Sequence, residues 1–217
     1  MKSPQSRLDF QRRDRLGMIE AIWGEHKTTE QIVEILKNFQ DKGELALVTR
    51  VSPEKASELK GFFKSAEIHS LARCLTLGKI PAPLTSLGNV VVLSGGTSDL
   101  FVAAEAELAL RCHGVQVELL LDVGVAGLHR LFNELEKLKK ANVLIACAGM
   151  EGALPTVLAG LVSQPIIGVP VSVGYGVSAR GKTALEGMLA SCSPGLMVVN
   201  IDNGYGAAMA ALRILRS

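Results

Sequence analysis

Residues 89–217 alternate regularly between short apolar runs and longer amphipathic segments. The apolar runs predict strands at 90–93, 115–121, 143–147, 166–171 and 196–201. The segments that follow them predict helices at 100–113, 128–141, 153–163 and 183–190, and a last helix after residue 206. Near-continuous Val, Ile and Leu are typical of strands that a parallel sheet buries on both faces. This half is therefore predicted to be an open, doubly wound parallel α/β sheet of about five strands, since a closed eight-stranded barrel needs far more chain.

Residues 1–88 are more charged and follow a different pattern. We predict a mostly helical region, with helical character from residue 8 to residue 23 and a helix from 30 to about 40 capped by Thr29. Ser52 and Pro53 predict the start of another helix, and strands are expected at 45–51 and 71–77. The segment 78–88 has two prolines and two glycines and is predicted to be a linker. The predicted organisation is a small N-terminal α+β domain at 1–88, linker included, and a second domain at 89–217.

Composition excludes several classes of protein. The net charge of +2 gives no reason to expect a nucleic acid or an anionic membrane as partner. Apolar runs are interrupted well before the roughly 20 residues that span a bilayer, and the first residues carry no apolar signal core. The four cysteines and four histidines are widely spaced, which argues against disulfides and a structural zinc site. We expect a cytoplasmic protein.

The predicted strands end in loops that are rich in glycine, serine and acids. Ligands of doubly wound folds bind beyond the carboxyl ends of the strands, and glycine lets backbone N–H groups approach an anion. The sequence 94–99 suits a phosphate or a sugar, and it is neither a Walker loop nor a dinucleotide fingerprint. The alternative is that Ser98 or Asp99 caps one helix and Asp202 another. The candidate binding residues of these loops are Ser94, Gly95, Gly96, Thr97, Ser98, Asp99, Asp122, Asp202, Asn203 and Gly204.

Two candidates have catalytic chemistry. Cys192 lies between two serines in a predicted loop, where a thiol can become a nucleophilic thiolate; the alternative is a small packing residue. Glu151 follows a strand and has little neighbouring bulk, so it can act as a base, or merely interact with a helix dipole. Basic side chains that can bind a phosphate are His129, Arg130, Arg180 and Lys182, and each is equally consistent with an exposed surface residue.

The ordered set of motifs resembles the LarB family of nickel-pincer nucleotide biosynthesis carboxylases. The resemblance covers nearly the whole chain. It is carried by residues 8–17, 24–28, 30–32, 49–50, 94–99, 122–130, 148–155, 168–172, 187–192 and 199–204. The second half is also similar to the catalytic domain of carboxyaminoimidazole ribonucleotide mutase, so the resemblance implies a PurE-like, flavodoxin-like sheet.

The resemblance implies a specific reaction. LarB-type enzymes carboxylate the pyridinium ring of nicotinic acid adenine dinucleotide with carbon dioxide, and they hydrolyse its phosphoanhydride to release AMP and a dicarboxylated mononucleotide. Cys192 matches the family cysteine that adds to the ring, and Glu151 matches the acid that takes the ring proton. For the hydrolytic base, Asp99, Asp122, His129 and Asp202 all stay candidates. Mg²⁺ on the diphosphate would be ordinary chemistry, although no metal site is predicted.

Two points qualify the resemblance. The loop 174–183 is more polar than its apolar, glycine-rich counterpart in the family. The contacts of this loop with the substrate are therefore expected to differ from those in the family. Cys192 also precedes its strand, so loop geometry or a neighbouring subunit has to bring it to the pocket. Related mutases assemble as octamers with sites between subunits, and the same is expected here.

Two other functions compete with this one. The first is an aminoimidazole ribonucleotide carboxylase or mutase, for which we expect a histidine where this chain has Glu151. The second is a nucleotide-binding module without catalysis.

Overall fold

The computed structural model describes residues 8–217, and its contacts divide the chain into two compact units between Pro81 and Ala82. The first unit has a four-stranded sheet and three helices within the described residues. The elements are α1 (Arg12–Leu16), β1 (Ala21–Trp23), α2 (Thr29–Asp41), β2 (Ala46–Thr49), α3 (Pro53–Phe62), β3 (Glu67–His69) and β4 (Cys74–Leu77). The strand order is β1-β2-β4-β3, with β1 parallel to β2 and the other neighbours antiparallel.

The core of this unit lies between α2, α3 and the sheet. Ile32, Leu36 and Phe39 recur at the spacing of one helical face, so α2 buries them against the strands. Thr28 begins α2: its hydroxyl accepts the N–H of Gln31, and the Gln31 side chain accepts the N–H of Thr28. Ser52 caps α3 as the sequence predicts, with Pro53 as its first residue.

The expectation of a mostly helical first half is wrong, because this unit has a shorter first helix and more strands than predicted. The segment 8–23 is helical only from Arg12 to Leu16, because Gly17 ends α1 in the left-handed conformation. The residues after it form β1, which gains its hydrogen bonds from β2 rather than from local propensity. Two strands were predicted in this half and four are present, and the cap of α2 is Thr28 rather than Thr29.

The second unit is an open parallel sheet with helices on both faces, and residues 82–88 lie with it. The expected doubly wound α/β fold is therefore confirmed. Its elements are β5 (Asn89–Ser94), α4 (Leu100–Arg111), β6 (Gln116–Leu120), α5 (Leu128–Asn133), α6 (Leu135–Leu138), β7 (Val143–Ala148), α7 (Ala153–Ala159), β8 (Ile166–Pro170), α8 (Lys182–Leu189), β9 (Met197–Val198) and α9 (Gly204–Leu215). The strand order is β6-β5-β7-β8-β9. From β5 the chain proceeds to one side of the sheet, to β6, and from β7 it proceeds to the other side, so the topological switch point lies between β5 and β7.

Alternate residues of the central strands pack to opposite faces of this sheet. Val91, Leu93 and Leu144 pack with residues of α5–α8, such as Leu131 and Leu158. Helices α4 and α9 pack against each other and against the other face. Strands β7 and β8 are buried throughout, and β5 is buried after Asn89, which explains why their sequences are nearly continuous in Val, Ile and Leu.

Three predicted elements of the second unit are shorter than expected, and the first is the helix expected at 153–163, which ends at Ala159. The helix expected at 128–141 ends at Asn133 and restarts at Leu135. The strand expected at 196–201 pairs over two residues only, Met197 and Val198, because it is an edge strand with a partner on one side. Among the helices of residues 8–217, none is long and apolar enough to cross a membrane.

Candidate functional site

A cavity of about 510 Å³ opens at the carboxyl ends of the parallel strands, at the topological switch point between β5 and β7. This is the place where doubly wound folds bind ligands, and the volume is within the usual range of small-molecule sites. The loops after β5, β6, β7 and β8 all contribute. The lining residues are Gly95, Gly96, Ser98, Asp99, Gly124, Val125, Ala126, Arg130, Ala148, Gly149, Met150, Glu151, Ala153, Leu154, Val173, Gly174 and Tyr175.

Asp99 is the buried acid of this cavity, with 5% of its surface exposed. One carboxylate oxygen accepts the N–H of Gly96 at 2.9 Å, and the other accepts the N–H of Gly149 at 3.2 Å. The side chain therefore joins the loop after β5 to the loop after β7. Burial raises the pKa of Asp99, and the nearby charge of Asp202 raises it further, although the two N–H donors act in the opposite direction.

Two glycines of the lining allow the loops to pack without side chains. A Cβ on Gly124 would lie 2.3 Å from the carbonyl oxygen of Gly95, and a Cβ on Gly149 would lie 2.4 Å from that of Val173. Neither position has room for another residue. The loops are thus held backbone against backbone.

Three residues at strand ends have left-handed backbones although they are not glycine. Asp122 has φ 58°, Met150 has φ 52° and Asp202 has φ 54°. They follow β6, β7 and β9, so the strain is concentrated on the same edge of the sheet as the cavity. Such strain is common at ligand sites, where surrounding contacts hold the loop in place.

Of the predicted basic residues, Arg130 lies on the cavity lining and forms an ion pair with Asp122. The guanidinium is thus held by the loop after β6 and can turn toward an anion in the cavity. His129, beside it, is exposed and is not among the lining residues.

Glu151 also lines the cavity, in the turn between β7 and α7. Its side chain is exposed, and its backbone is enclosed by α8: a Cβ on Gly187 would lie 2.6 Å from the Glu151 carbonyl oxygen. A fixed backbone with an open carboxylate suits a base that takes a proton from a bound ligand.

Cys192 is exposed, and it is the only exposed cysteine among the four. It follows α8 and precedes β9, which places it at the amino edge of the sheet, and it is not among the cavity-lining residues. Its neighbours are tied to α7: Ser191 accepts a hydrogen bond from the Thr156 hydroxyl at 3.0 Å, and Ser193 donates one to the Thr156 carbonyl at 3.1 Å. The thiol therefore lies on an anchored loop outside the cavity of its own chain.

The remaining predicted binding residues have other surroundings. Ser94 is buried, and its hydroxyl accepts the N–H of Asp122 at 3.1 Å. Asp202 accepts the N–H of Ser172 at 2.8 Å, which fixes the start of the loop after β8. The residues that do not line the cavity are Ser94, Thr97, Asp122, His129, Arg180, Lys182, Asp202, Asn203 and Gly204.

The capping roles suggested for Asp99 and Asp202 are not found. Asn203, rather than Asp202, caps α9, because its side chain accepts the N–H of Gly206. Asp99 precedes α4 but makes no side-chain cap to that helix. Its hydrogen bonds go instead to the two loops of the cavity.

The loop after β8 contributes a lining residue that sequence reasoning did not single out. Tyr175 borders the cavity and is 78% exposed, between Gly174 and the left-handed Gly176. Its position in the polar loop 174–183 was visible in the sequence, but the direction of the loop toward the cavity depends on tertiary contacts such as the bond from the Met150 N–H to the Val173 carbonyl.

A protein-held Mg²⁺ does not fit the residues present. Within residues 8–217, no group of three or more His, Cys, Asp or Glu side chains could hold a metal ion. Both carboxylate oxygens of Asp99 already accept backbone N–H groups, and Mg²⁺ prefers several free oxygen ligands in octahedral geometry. We therefore assign no step to a metal.

Comparisons with known proteins match both units. Residues 89–217 match the family model of AIR carboxylase, and residues 3–79 match that of the LarB/PurE-like N-terminal domain. An uncharacterized protein of Methanocaldococcus jannaschii is 40% identical over 94% of this chain and 82% of its own length.

Other relatives match the second unit. The N5-carboxyaminoimidazole ribonucleotide mutase of M. jannaschii is 38% identical over 58% of this chain and 78% of its own, and that of Pyrococcus horikoshii is 32% identical over 58% and 71%. A crystal structure of a PurE2 variant from Treponema denticola covers 59% of this chain and 79% of its own, with 22% identity and a TM-score of 0.49.

Proposed function

The chain belongs to the AIR carboxylase family, and from this premise we propose that it carboxylates the pyridinium ring of nicotinic acid adenine dinucleotide and hydrolyses the phosphoanhydride. The observation that carries the proposal is the combination of a LarB/PurE-like N-terminal domain with Glu151 on the lining of the cavity. The mutase alternative predicts a histidine in that loop, and the sequence 148–152 has none.

The proposed carboxylation follows from the chemistry of a thiol and a carboxylate. The pyridinium ring is an electrophile whose free meta carbon is a poor nucleophile. Addition of the Cys192 thiolate breaks the aromaticity and gives an enamine, whose carbon attacks carbon dioxide. Glu151 then takes the proton from that carbon, and the thiolate leaves as the ring recovers its aromaticity. Cysteine suits both roles because its thiolate is a good nucleophile and a good leaving group.

The cavity offers complementary groups for the rest of the substrate. The Arg130 guanidinium on the cavity lining can bind phosphate oxygens. Water attacks the phosphoanhydride and releases AMP and the dicarboxylated mononucleotide. Among the candidate bases, Asp99 lies on the lining, and its raised pKa favours proton uptake near the bound phosphates.

The position of Cys192 adds a requirement to the proposal. Since the thiol lies at the amino edge and Glu151 at the carboxyl edge, we propose that a second copy of the chain supplies Cys192 to the cavity. A closed homo-oligomer, of which an octamer is the expected form, places such sites between subunits by symmetry.

The test is incubation of the purified protein with nicotinic acid adenine dinucleotide and bicarbonate, followed by mass analysis. The proposal predicts AMP and a mononucleotide that has gained one carbon dioxide. A parallel reaction with the Glu151→Gln variant should leave the dinucleotide without the added carboxylate. If the wild-type protein does not change the mass of the pyridine product, the proposal is wrong.

A second candidate is a mutase acting on an aminoimidazole ribonucleotide. It is favoured by the names of the relatives that match the second unit. Those matches cover about the second unit only, and the first unit has its own family match. Conversion of N5-carboxyaminoimidazole ribonucleotide by this protein, in an assay where the pyridine dinucleotide is unchanged, would establish this candidate instead.

A further inference from the structure

The carboxyl edge of the first sheet has a cluster of aromatic and charged side chains that the proposed reaction does not use. Trp23 ends β1, and it is 49% exposed. Its indole N–H donates to Glu25 at 3.2 Å, and the ring of His26 meets the indole edge-on with 4.8 Å between centroids. Arg50 follows the neighbouring strand β2 and lies 3.6 Å from Glu25.

The loop of this cluster is firmly held. The ammonium group of Lys55 donates to the carbonyls of Gly24 and Lys27, both at 2.7 Å, and the N–H of Gly24 donates to the Thr49 carbonyl at 2.8 Å. A Cβ on Gly24 would lie 3.0 Å from that same carbonyl oxygen, which is tighter than an ordinary contact. The exposed indole is therefore presented by a rigid loop, which lowers the entropy cost of binding.

Two arginines at this edge have unfavourable positions. Arg50 has φ 53° and Arg73 has φ 50°, a conformation that glycine adopts without strain. Their backbones are neighbours, since the N–H of Val51 donates to the Arg73 carbonyl at 2.7 Å. Non-glycine residues that surrounding contacts hold in this conformation recur at ligand sites.

We propose that this edge, defined by Trp23, His26, Arg50 and Arg73, binds a nucleoside monophosphate. An exposed indole offers its face to a planar base, and base–aromatic stacking is tolerant of base identity. Guanidinium groups bind phosphate through paired N–H donors. Lys27 adds a further cation, and Glu25 is the carboxylate that orients the indole and Arg50.

The site is formed by residues of the first unit and the cavity by residues of the second, so the proposal goes beyond the proposed function. A protein surface as occupant is less favoured, because the edge combines one exposed aromatic ring with several cations rather than a continuous apolar patch. Contact between two copies of the chain is therefore an outcome that the test has to separate.

The single tryptophan of the chain makes the test direct, because all tryptophan fluorescence comes from Trp23. Titration of the full-length protein with AMP should quench this emission to saturation, and inorganic phosphate alone should not. Arg50→Gly, which relieves the left-handed strain and so keeps the fold, should weaken AMP binding about tenfold or more. The control is Arg213→Ala, an exposed arginine of α9 in the second unit, which should leave the quenching unchanged.

Three results would overturn the proposal. The first is an absence of saturable quenching by AMP, and the second is an equal affinity of the wild type and Arg50→Gly for AMP. The third is tryptophan emission that depends on protein concentration but not on AMP, which would make the edge a contact between copies of the chain. The Glu151→Gln variant separates the two proposals. This variant should keep the quenching of Trp23 by AMP while it loses carboxylation. A loss of AMP binding can then be assigned to the edge of the first sheet, and a loss of carboxylation to the cavity.

Discussion

The two edges of the parallel sheet differ in what they contribute. The carboxyl edge holds a cavity, a buried acid that joins two loops, and Glu151. The amino edge holds the exposed Cys192 on a loop anchored to α7. The two groups that the proposed reaction needs are thus at opposite edges, since Glu151 lines the cavity at the carboxyl edge and Cys192 lies at the amino edge.

This difference explains why neither Cys192 nor Glu151 by itself indicates a catalytic site. A thiol on an exposed loop is an ordinary feature, and so is an acid near a helix start. The proposed reaction needs both, and the fold separates them along the strand direction within one chain. Assembly of identical chains is therefore part of the proposed function rather than an addition to it.

The largest expected effect is at the amino edge. Cys192→Ala should lower carboxylation at least about 10³-fold, because without the thiolate the ring carbon is not activated. Binding of the dinucleotide, measured by calorimetry, should be kept. Cys74→Ala in the first unit is the control and should retain activity. Full carboxylation by Cys192→Ala would remove the thiol from the mechanism.

At the carboxyl edge, Glu151→Gln keeps the shape of the side chain and removes the base. We expect a loss of about 10²–10⁴-fold in the rate of carboxylation, the usual contribution of a general base. A deuterium label on the ring carbon should exchange more slowly as well. A variant with the wild-type rate would show that another group takes the proton.

A mixing experiment tests whether the two edges meet between chains. Cys192→Ala and Glu151→Gln are each inactive, but if a site takes Cys192 from one copy and Glu151 from another, mixed oligomers should regain about a quarter of the sites. Dissociation and reassembly of the two variants, followed by the carboxylation assay, measures this. Recovery at the level of either variant alone would place both residues in the same chain's site.

Packing at the carboxyl edge predicts a smaller effect, on stability. Gly124→Ala places a methyl group 2.3 Å from the Gly95 carbonyl oxygen, and should lower the free energy of unfolding by about 1–3 kcal/mol. Gly61→Ala in α3 meets nothing within 4 Å and should stabilise the protein by about 0.5–1 kcal/mol. Thermal unfolding of both variants compares them, and equal midpoints would contradict the close contact of the two loops.

The smallest effect concerns thiol accessibility. At pH 8 iodoacetamide should modify Cys192 in the native protein and leave the other three cysteines unmodified. Burial raises the pKa of Cys112 to about 12 and raises that of Cys147 as well, so neither forms a thiolate. Peptide mapping by mass checks this, and rapid labelling of Cys147 would indicate that the strand β7 opens.

The sequence predicts the second unit well because parallel strands are buried on both faces and their apolar runs are nearly continuous. It predicts the first unit less well, since β1 depends on pairing with β2 and has three residues only. Among site residues, Asp99, Arg130 and Glu151 line the cavity, because strand ends meet at one edge. The role of Ser94 as a buried acceptor and the position of Tyr175 depend on contacts between loops, which a single sequence does not reveal.

In the proposed reaction, a pyridine dinucleotide is carboxylated through a transient bond to Cys192. The most direct measurement is intact-protein mass analysis after rapid quenching of a reaction with nicotinic acid adenine dinucleotide and bicarbonate. We expect a covalent adduct of the pyridine nucleotide that maps to Cys192 and is absent from Cys192→Ala. Turnover of the dinucleotide to the carboxylated product in the Cys192→Ala variant, with no adduct on the wild-type protein, would contradict it.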